Sequence, residues 1–555
     1  MKTSTSSGLL RGAFILGAAA ILSKMIGTLQ KIPLQNLGGD GVFGIYTTIY
    51  SFYAFLAVFV TAALPAAISK YVAERIAGAD ERGVRAVLRA GLLTGCVAGV
   101  LMALGMWVLA PLLSGWIGSE HTLLPLRAVA LALLVVPPMA ALRGFFQGQQ
   151  QALPTAVSQV SEQIVRVGVM IALLLALNSA GASDERIAAG AAFGSFAGGL
   201  AGLLVMLAFW RRHRKRKQAE FAERAEQPAA PPAFPVAGAA DPQGGSVWRW
   251  IKPLLIYAVP VFVGSLSQPL LSLVDTLTVP RLLQSGGWGD LAAMEQFGVY
   301  NRGIPIVQLV FMLATSLSTL LLPAIAEAKA RGEEGRIAVS ASVALRWLWL
   351  LGLTAAAGLA VLAGPVNVML YADDQGTDAL RWTALSAAGG TLGIVSAALL
   401  QGMGAVRAPA LFLLVSAVLK LGLNLLLVPY MGISGAALAG AVSYMVAALL
   451  GVLLLARLTG LRRGVRRTLL QPLLLAGLTA LAAYAVRLLA DGLLTAAGLD
   501  GRAGAMLTSL SGVAAGVIAF AAALIYTRAV SDAELSALPG GTKLAAFARR
   551  LRRES

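Results

Sequence analysis

The chain has few of the side chains on which enzymes and metal proteins depend. Only 13% of its 555 residues are charged, against roughly 25% in a typical soluble domain. The single cysteine, Cys96, allows no internal disulfide. The only two histidines, His121 and His213, are far apart in the sequence, so no metal site is predicted.

Catalytic signatures are missing as well. The segment GGTK at 540–543 lacks the first glycine and the spacing of a nucleotide-binding P-loop. Neither an H-E-x-x-H zinc motif nor a G-x-S-x-G nucleophile motif occurs. The sequence therefore predicts a protein that is not an enzyme and binds no cofactor. A coupling ion or the membrane potential remains as an energy source.

Long apolar runs are what the chain does contain. Hydrophobic residues make up 58% of it. Runs such as 86–113, 193–210 and 506–525 are each long enough to cross the hydrocarbon of a bilayer as helices. They lack the alternation of a lipid-facing barrel strand. The predicted class is an all-α polytopic membrane protein with about fourteen spans.

The spans fall into groups separated by polar segments. We predict an N-lobe with six spans at 1–210, a basic, Pro-rich and disordered linker at 211–250, and a C-lobe with six spans at 251–457. Two extra spans follow at 458–530, and 531–555 is predicted to be a basic amphipathic helix on the membrane surface.

Lysine and arginine predict the orientation. The formal net charge is +18, and the basic residues lie between spans, which favours anionic lipid over nucleic acid as their partner. One side receives most of them, including Arg143 and the run 211–217, whereas the loops at 38–41, 114–120 and 430–432 carry none. By the positive-inside rule both termini are cytoplasmic, in a bacterial plasma membrane.

Three short motifs recur at a fixed offset. The offset is roughly 255 residues, as expected for a duplication. The pairs are FGIY at 43–46 with FGVY at 297–300, LPA at 64–66 with LPA at 322–324, and QG at 147–148 with QG at 401–402. Six spans per copy is an even number, so the two repeats are parallel. The last two spans lie outside the repeat.

Polar side chains inside the spans mark the candidate site. An ionisable group at the bilayer centre costs about 2.5–3.5 kcal/mol, so each must face a partner or a wet cavity. We predict a cationic cavity between the two halves that holds an anionic headgroup such as a diphosphate. The candidate residues are Lys24, Gln159, Glu162, Arg166, Asp275, Asn301, Arg302 and Lys420.

These residues allow more than one interpretation. Glu162 and Arg166 are one helical turn apart and could simply neutralise each other. Lys24 and Arg302 have no acidic neighbour in sequence, which favours a role in binding. Asp275 could bind an ion or pair with a cation of the first span.

Three longer motifs resemble a known family. They are SKMIG at 23–27, LPAAISKYVAE at 64–74, and LRGFFQG at 142–148, which continues through SQVSEQ at 158–163. They resemble the polysaccharide-transport branch of the multidrug/oligosaccharidyl-lipid/polysaccharide (MOP) exporter superfamily. The chain is most similar to the stage V sporulation protein B and Gram-positive lipid II flippase group, over nearly its whole length.

The resemblance implies a two-lobed, fourteen-helix flippase for undecaprenyl-diphosphate-linked sugars. In that family a cationic cavity holds the headgroup, and the last two helices form a groove for the polyprenyl tail. Lys24 stands where flippases often have arginine. Arg302 follows the family's Tyr-x-Arg pattern, but Asn301 replaces the acidic residue that commonly precedes that arginine.

The sequence thus predicts a flippase that moves lipid II, or a similar lipid-linked oligosaccharide, from the inner to the outer leaflet by alternating access. Its partners would be that substrate, membrane lipids and other cell-envelope synthesis proteins. One alternative is a cation-coupled multidrug exporter of the same superfamily, which would favour an acidic cavity. Another is a non-transporting scaffold for envelope synthesis. A membrane glycosyltransferase would need a catalytic carboxylate at the cytoplasmic face.

Overall fold

The computed structural model describes residues 3–226, 246–460 and 465–527. These residues form nineteen α-helices joined by short turns, with one π-helical segment at Phe59–Ala63 and one 3-10 turn at Glu120–Thr122. Helices satisfy their own backbone hydrogen bonds, as hydrocarbon requires. The predicted surface helix at 531–555 and residues 227–245 of the predicted linker lie outside the described residues.

In the described ranges the candidate spans number twelve or thirteen, against the fourteen expected from the apolar runs. Twelve helical stretches in the described ranges are long and apolar enough to cross a membrane, and a bent pair, Trp248–Ser265 with Gln268–Ser285, makes a thirteenth. The first stretch, Leu16–Ala77, has 62 residues. At 1.5 Å per residue that is about 93 Å, roughly three hydrocarbon thicknesses. Gly39, with φ 80°, breaks this stretch.

The chain divides into two compact units, and the first is Met1–Gly298. Its elements are α1 (Thr3–Leu29), α2 (Lys31–Val58), α3 (Leu64–Ala77), α4 (Glu81–Ile117), α5 (Leu123–Ala130), α6 (Ala132–Gly148), α7 (Ala152–Ser179), α8 (Asp184–Glu226), α9 (Trp248–Ser265), α10 (Ser267–Ser285) and the first part of α11 (Asp290–Asn301). Helices α7 and α8 pack along each other, α9 packs on α3, and α10 packs on α2.

Two features differ from the sequence-based expectation. Helix α8 continues to Glu226, so the basic residues 211–217 are helical and do not begin a disordered linker. Arg214 stacks on the Trp210 ring and Lys217 pairs with Glu81, which holds this extension in place. The compact division falls after Gly298, so α9 and α10 pack within the first unit although the repeat places them in the second copy.

The second unit is Val299–Ser555. After the end of α11 it contains α12 (Ile304–Ala330), α13 (Glu334–Val361), α14 (Ala363–Tyr371), α15 (Thr377–Gly402), α16 (Arg407–Met431), α17 (Ile433–Thr459), α18 (Val465–Ala496) and α19 (Gly501–Tyr526). Helix α15 is the centre of its core and packs on α12, α13 and α17. Helices α18 and α19 pack on each other and on α13 and α14.

A glycine contact within the first unit explains one of the repeated motifs. Gly44 of FGIY and Gly298 of FGVY face each other where α2 crosses α11. A methyl group at Gly44 would overlap the Met294 carbonyl, and one at Gly298 would overlap the Asp40 carbonyl. Only glycine allows the two backbones to approach this closely. The Thr48 hydroxyl lies next to the Met294 sulfur at the same crossing.

Gly44→Ala should therefore lower the thermal stability of the protein in detergent. The added methyl must push α2 and α11 apart, and overpacking of this kind costs about 1–3 kcal/mol. Gly105→Ala is the matched control, because a methyl there meets no atom within 4 Å and alanine favours helix by about 0.5–1 kcal/mol. An unfolding temperature as high for Gly44→Ala as for Gly105→Ala would contradict the tight crossing.

Candidate functional site

The first unit contains a buried ion-pair cluster around Glu162 and Arg166 of α7. The Glu162 carboxylate accepts a hydrogen bond from Arg166 Nη2 at 2.7 Å and one from Arg143 Nη2 at 2.9 Å. Ser158 Oγ accepts from the Arg143 guanidinium at 2.8 and 3.1 Å. All three charged side chains are at most 11% exposed. The cluster therefore carries one net positive charge within the bundle.

A row of glycines on α8 brings that helix close to the cluster. A methyl group at Gly194 would lie 2.8 Å from the Arg166 carbonyl oxygen, and one at Gly198 would lie 2.6 Å from that of Glu162. The Ser158 hydroxyl in turn donates to the Gly202 carbonyl at 2.9 Å. The three glycines are four residues apart, so they share one face of α8.

The structure gives Arg143 a partner that the sequence did not suggest. We counted it among the basic residues that orient the chain, and it is buried in the last turns of α6, where it pairs with Glu162. The sequence left open whether Glu162 and Arg166 neutralise each other. In the structure they form an ion pair. The clue to Arg143 was its place inside the LRGFFQG motif, directly before the stripe on α7.

The other candidates of the first unit lie on three helices. Lys24 is exposed on α1, and none of the described residues forms an ion pair or hydrogen bond with its ammonium group. Gln159 is half-buried on α7, and Asp275 is buried on α10. Helix α1 packs on α7, where a methyl at Gly27 would lie 3.3 Å from Gln163 Oε1.

Arg302 of the second unit is held by a carboxylate that the sequence did not suggest. It is 1% exposed and lies next to the buried Asn301 in the break between α11 and α12. Its guanidinium forms two hydrogen bonds with the Asp373 carboxylate, at 2.5 and 3.0 Å. It also stacks on the Tyr371 ring, 5.3 Å from the centroid, while the Tyr371 hydroxyl donates to the Arg302 carbonyl at 2.8 Å.

Asp373 lies in the short loop between α14 and α15. Partial burial works against ionisation of its carboxyl, but the hydrogen bonds from Arg302 and from the Gln375 backbone N–H outweigh it and lower the pKa of Asp373. In the sequence, Asp373 is one of two adjacent aspartates in a loop, 71 residues from Arg302, and this position does not indicate that it pairs with Arg302. Nothing in a single sequence joins two such positions.

Lys420 is buried on α16 and faces α17. A methyl group at Gly440 would lie 3.5 Å from its Nζ atom. On the same stripe, one turn earlier, Ser416 donates to the Ser443 carbonyl at 2.9 Å. Ser416 and Lys420 therefore lie on the face of α16 that contacts α17.

Cations outnumber carboxylates among the buried charges. In the described part of the chain, Arg143, Arg166, Arg302 and Lys420 are buried, against Glu162 and Asp275. Within the same ranges no group of three or more His, Cys, Asp and Glu side chains is arranged to hold a metal ion. The buried charge therefore suits an anionic ligand better than a cation.

Comparison with known proteins gives matches over the whole chain. A family model described as polysaccharide biosynthesis protein matches residues 9–329, and the MatE model matches residues 260–426. The uncharacterized membrane protein YabM of Bacillus subtilis (strain 168) is 33% identical over 544 residues, covering 97% of this chain and 96% of the relative. The lipid II flippase MurJ of the same organism is 29% identical, covering 82% of this chain and 84% of the relative.

Two solved structures show the same fold. A lipid II flippase MurJ in an inward closed conformation aligns with a TM-score of 0.62 at 12% identity, over 93% of this chain and 99% of that one. An inward-facing multidrug resistance MATE family transporter of the MOP superfamily also aligns at 0.62, with 15% identity, over 80% of this chain and 96% of that one. They confirm the predicted all-α polytopic class.

Glu162→Gln should destabilise the protein strongly. It leaves two buried guanidinium groups without their carboxylate, and breaking a buried ion pair in this way costs about 3–5 kcal/mol. The unfolding temperature of the purified protein measures the effect. Glu327→Gln is the control, because that residue pairs with Arg331 at the surface, where ion pairs contribute about 0–1 kcal/mol. Equal effects of the two substitutions would contradict the buried network.

Asp373→Ala should also lower the unfolding temperature, whereas Asp374→Ala, at the exposed neighbouring position, should not. Because the folded state lowers the pKa of Asp373, its contribution is complete above the ordinary carboxyl pKa of about 3.9. It is lost only as the pH falls through the lower, folded-state value. The difference between wild type and Asp373→Ala should therefore be constant from about pH 8 to about pH 5. A difference that shrinks within this range would contradict the ion pair.

Proposed function

Because the chain belongs to the polysaccharide biosynthesis family of the MOP superfamily, we propose that it is a flippase for lipid-linked glycan precursors. The family confirms the resemblance seen in the motifs, and its members are transporters, so the chain is a multi-pass membrane transporter and not an enzyme. The proposed substrate is lipid II or a similar undecaprenyl-diphosphate-linked glycan, carried from the inner to the outer leaflet.

The observation that carries this proposal is the excess of buried cations, four against two carboxylates among the described residues. A diphosphate headgroup is anionic and is attracted by such a charge distribution. A cationic drug would instead need carboxylates, and the buried Glu162 already has two arginine partners. The relative named lipid II flippase supports the same substrate class.

Lys24 is the residue we assign to the headgroup. Arg166 and Arg302 are paired with Glu162 and Asp373, whereas the Lys24 side chain is exposed on α1. An ammonium group in a span is costly unless it meets water or an anion. In this proposal the protein works by alternating access, with both termini in the cytoplasm. Arg143, Arg166 and Arg302 then set the shape and charge of the two units.

The test is transport of fluorescent lipid II between leaflets of liposomes that contain the purified protein. Lys24→Ala should slow transport by about ten- to a hundredfold at low substrate, since a hydrogen bond to a charged group contributes about 1.5–3 kcal/mol. Lys252→Ala, an exposed lysine near the start of α9, should transport like the wild type.

The outcomes separate the alternatives. If the wild type and the Lys24→Ala variant transport lipid II equally well, Lys24 is not part of the headgroup site, but the proposal that the protein is a flippase stands. No lipid movement, combined with ion-driven movement of a cationic dye, would establish a multidrug exporter. If the folded protein moves neither, it is a scaffold.

A further inference from the structure

Helix α14 has nine residues. Arginines from distant parts of the second unit bind the last carbonyl of α13 before it and the carbonyls of its own last turn. It follows α13 after Leu362 and is too short to span a membrane. The C-terminal end of any helix leaves backbone carbonyls without intrahelical donors. The side chains that satisfy them determine what the helix is attached to.

One attachment is to the break between α11 and α12. Tyr371, the last residue of α14, donates to the Arg302 carbonyl, and Arg302 binds Asp373 two residues later. The Arg302 guanidinium also donates to the Gln375 carbonyl at 3.3 Å. Asn367, within α14, donates to the same carbonyl at 2.8 Å. The helix and the loop after it are thereby joined to the α11–α12 break as one body.

The other attachment is to the extra helices at the end of the chain. Arg502 of α19 donates to the Met369 and Leu370 carbonyls at 2.8 and 3.1 Å and so satisfies the last turn of α14. Arg487 of α18 donates to the Val361 carbonyl at 2.6 Å, just before α14 begins. Cations at carbonyl ends of helices are favourable in both hydrogen bonding and electrostatics.

Apolar side chains also connect α14 to α12, α18 and α19. Leu362 and Val366 form a buried cluster with Ala483 of α18, and Ile306 in the first turn of α12 packs against it. A methyl group at Gly512 of α19 would lie 2.6 Å from Leu362 Cδ2, so α19 is tightly packed against Leu362. A rigid displacement of α18 or α19 must therefore move α14.

We propose that α14 is a coupling element that transmits displacement of α18 and α19 to the α11–α12 break through Arg302 and Asp373. Asp373, Arg487 and Arg502 are then positioning residues for transport. Their role in transport rests on the proposed function, while the coupling itself does not.

Hydrogen–deuterium exchange of the full-length protein in detergent tests the coupling without a ligand. Arg502→Gln and Arg487→Gln should speed exchange severalfold at residues 299–304, although neither residue touches that segment. Arg381→Gln is the control, since it removes an arginine of the same unit that pairs only with the exposed Asp378. Arg502→Lys, which keeps a cationic donor, should restore much of the protection. Faster exchange confined to 363–376, with 299–304 unchanged, would overturn the proposal.

A double-mutant cycle gives a second measure. Asp373→Ala and Arg502→Gln act on opposite sides of α14, so the loss of thermal stability in the double variant should be clearly smaller than the two single losses together. Asp373→Ala combined with Glu327→Gln should be additive. Additive losses in the first pair would refute the coupling.

Lipid transport then separates this inference from the proposed function. If Arg502→Gln leaves the protein folded and slows lipid II movement in liposomes, the coupling serves transport. If the exchange response and the non-additive stability are present but the wild type moves no lipid, the proposed function fails and the coupling stands. A wild type that transports lipid, with an Arg502→Gln variant that exchanges and transports normally, removes the coupling alone.

Discussion

A guanidinium buried in a membrane-spanning bundle needs a carboxylate, and two such pairings organise this protein. In the first unit Glu162 joins Arg143 of α6 to Arg166 of α7. In the second, Asp373 joins the α14–α15 loop to Arg302 at the α11–α12 break. Because the cost of an unpaired charge is several kcal/mol, each pairing restricts which helices can be neighbours.

The helices around these pairs are adapted to them by small residues. Glycines on α8 let its backbone approach the Glu162–Arg166 turn of α7. Gly44 and Gly298, from the two copies of a repeated motif, allow the α2–α11 crossing. In a bilayer the lipid is as apolar as the side chains, so close van der Waals contact replaces the hydrophobic effect as the force between helices. Glycine therefore has a structural role here that it lacks in most soluble helices.

These pairings also change how the candidate site is understood. Arginine is a natural ligand for a diphosphate, and both Arg166 and Arg302 were expected to bind one. Each is paired with a carboxylate of its own unit, whereas Lys24 is exposed on α1. In the proposed function the arginines therefore set the shape and charge of the two units, and the compact ammonium charge of Lys24 binds the headgroup.

The sequence by itself determined the class and the family, and it gave the number of spans to within one or two. These depend on local quantities: the length of each apolar run, the polar breaks between runs, and motifs read along one segment. The stripe of Glu162 and Arg166 was also predictable, because one helical turn separates them. The sequence could not supply the partners of Arg143 and Arg302, which lie 19 and 71 residues away. It placed the boundary between halves at the polar linker, whereas the division of the chain into compact units falls after Gly298. Only tertiary structure decided these points, because ion pairing and close backbone approach depend on which helices become neighbours in space.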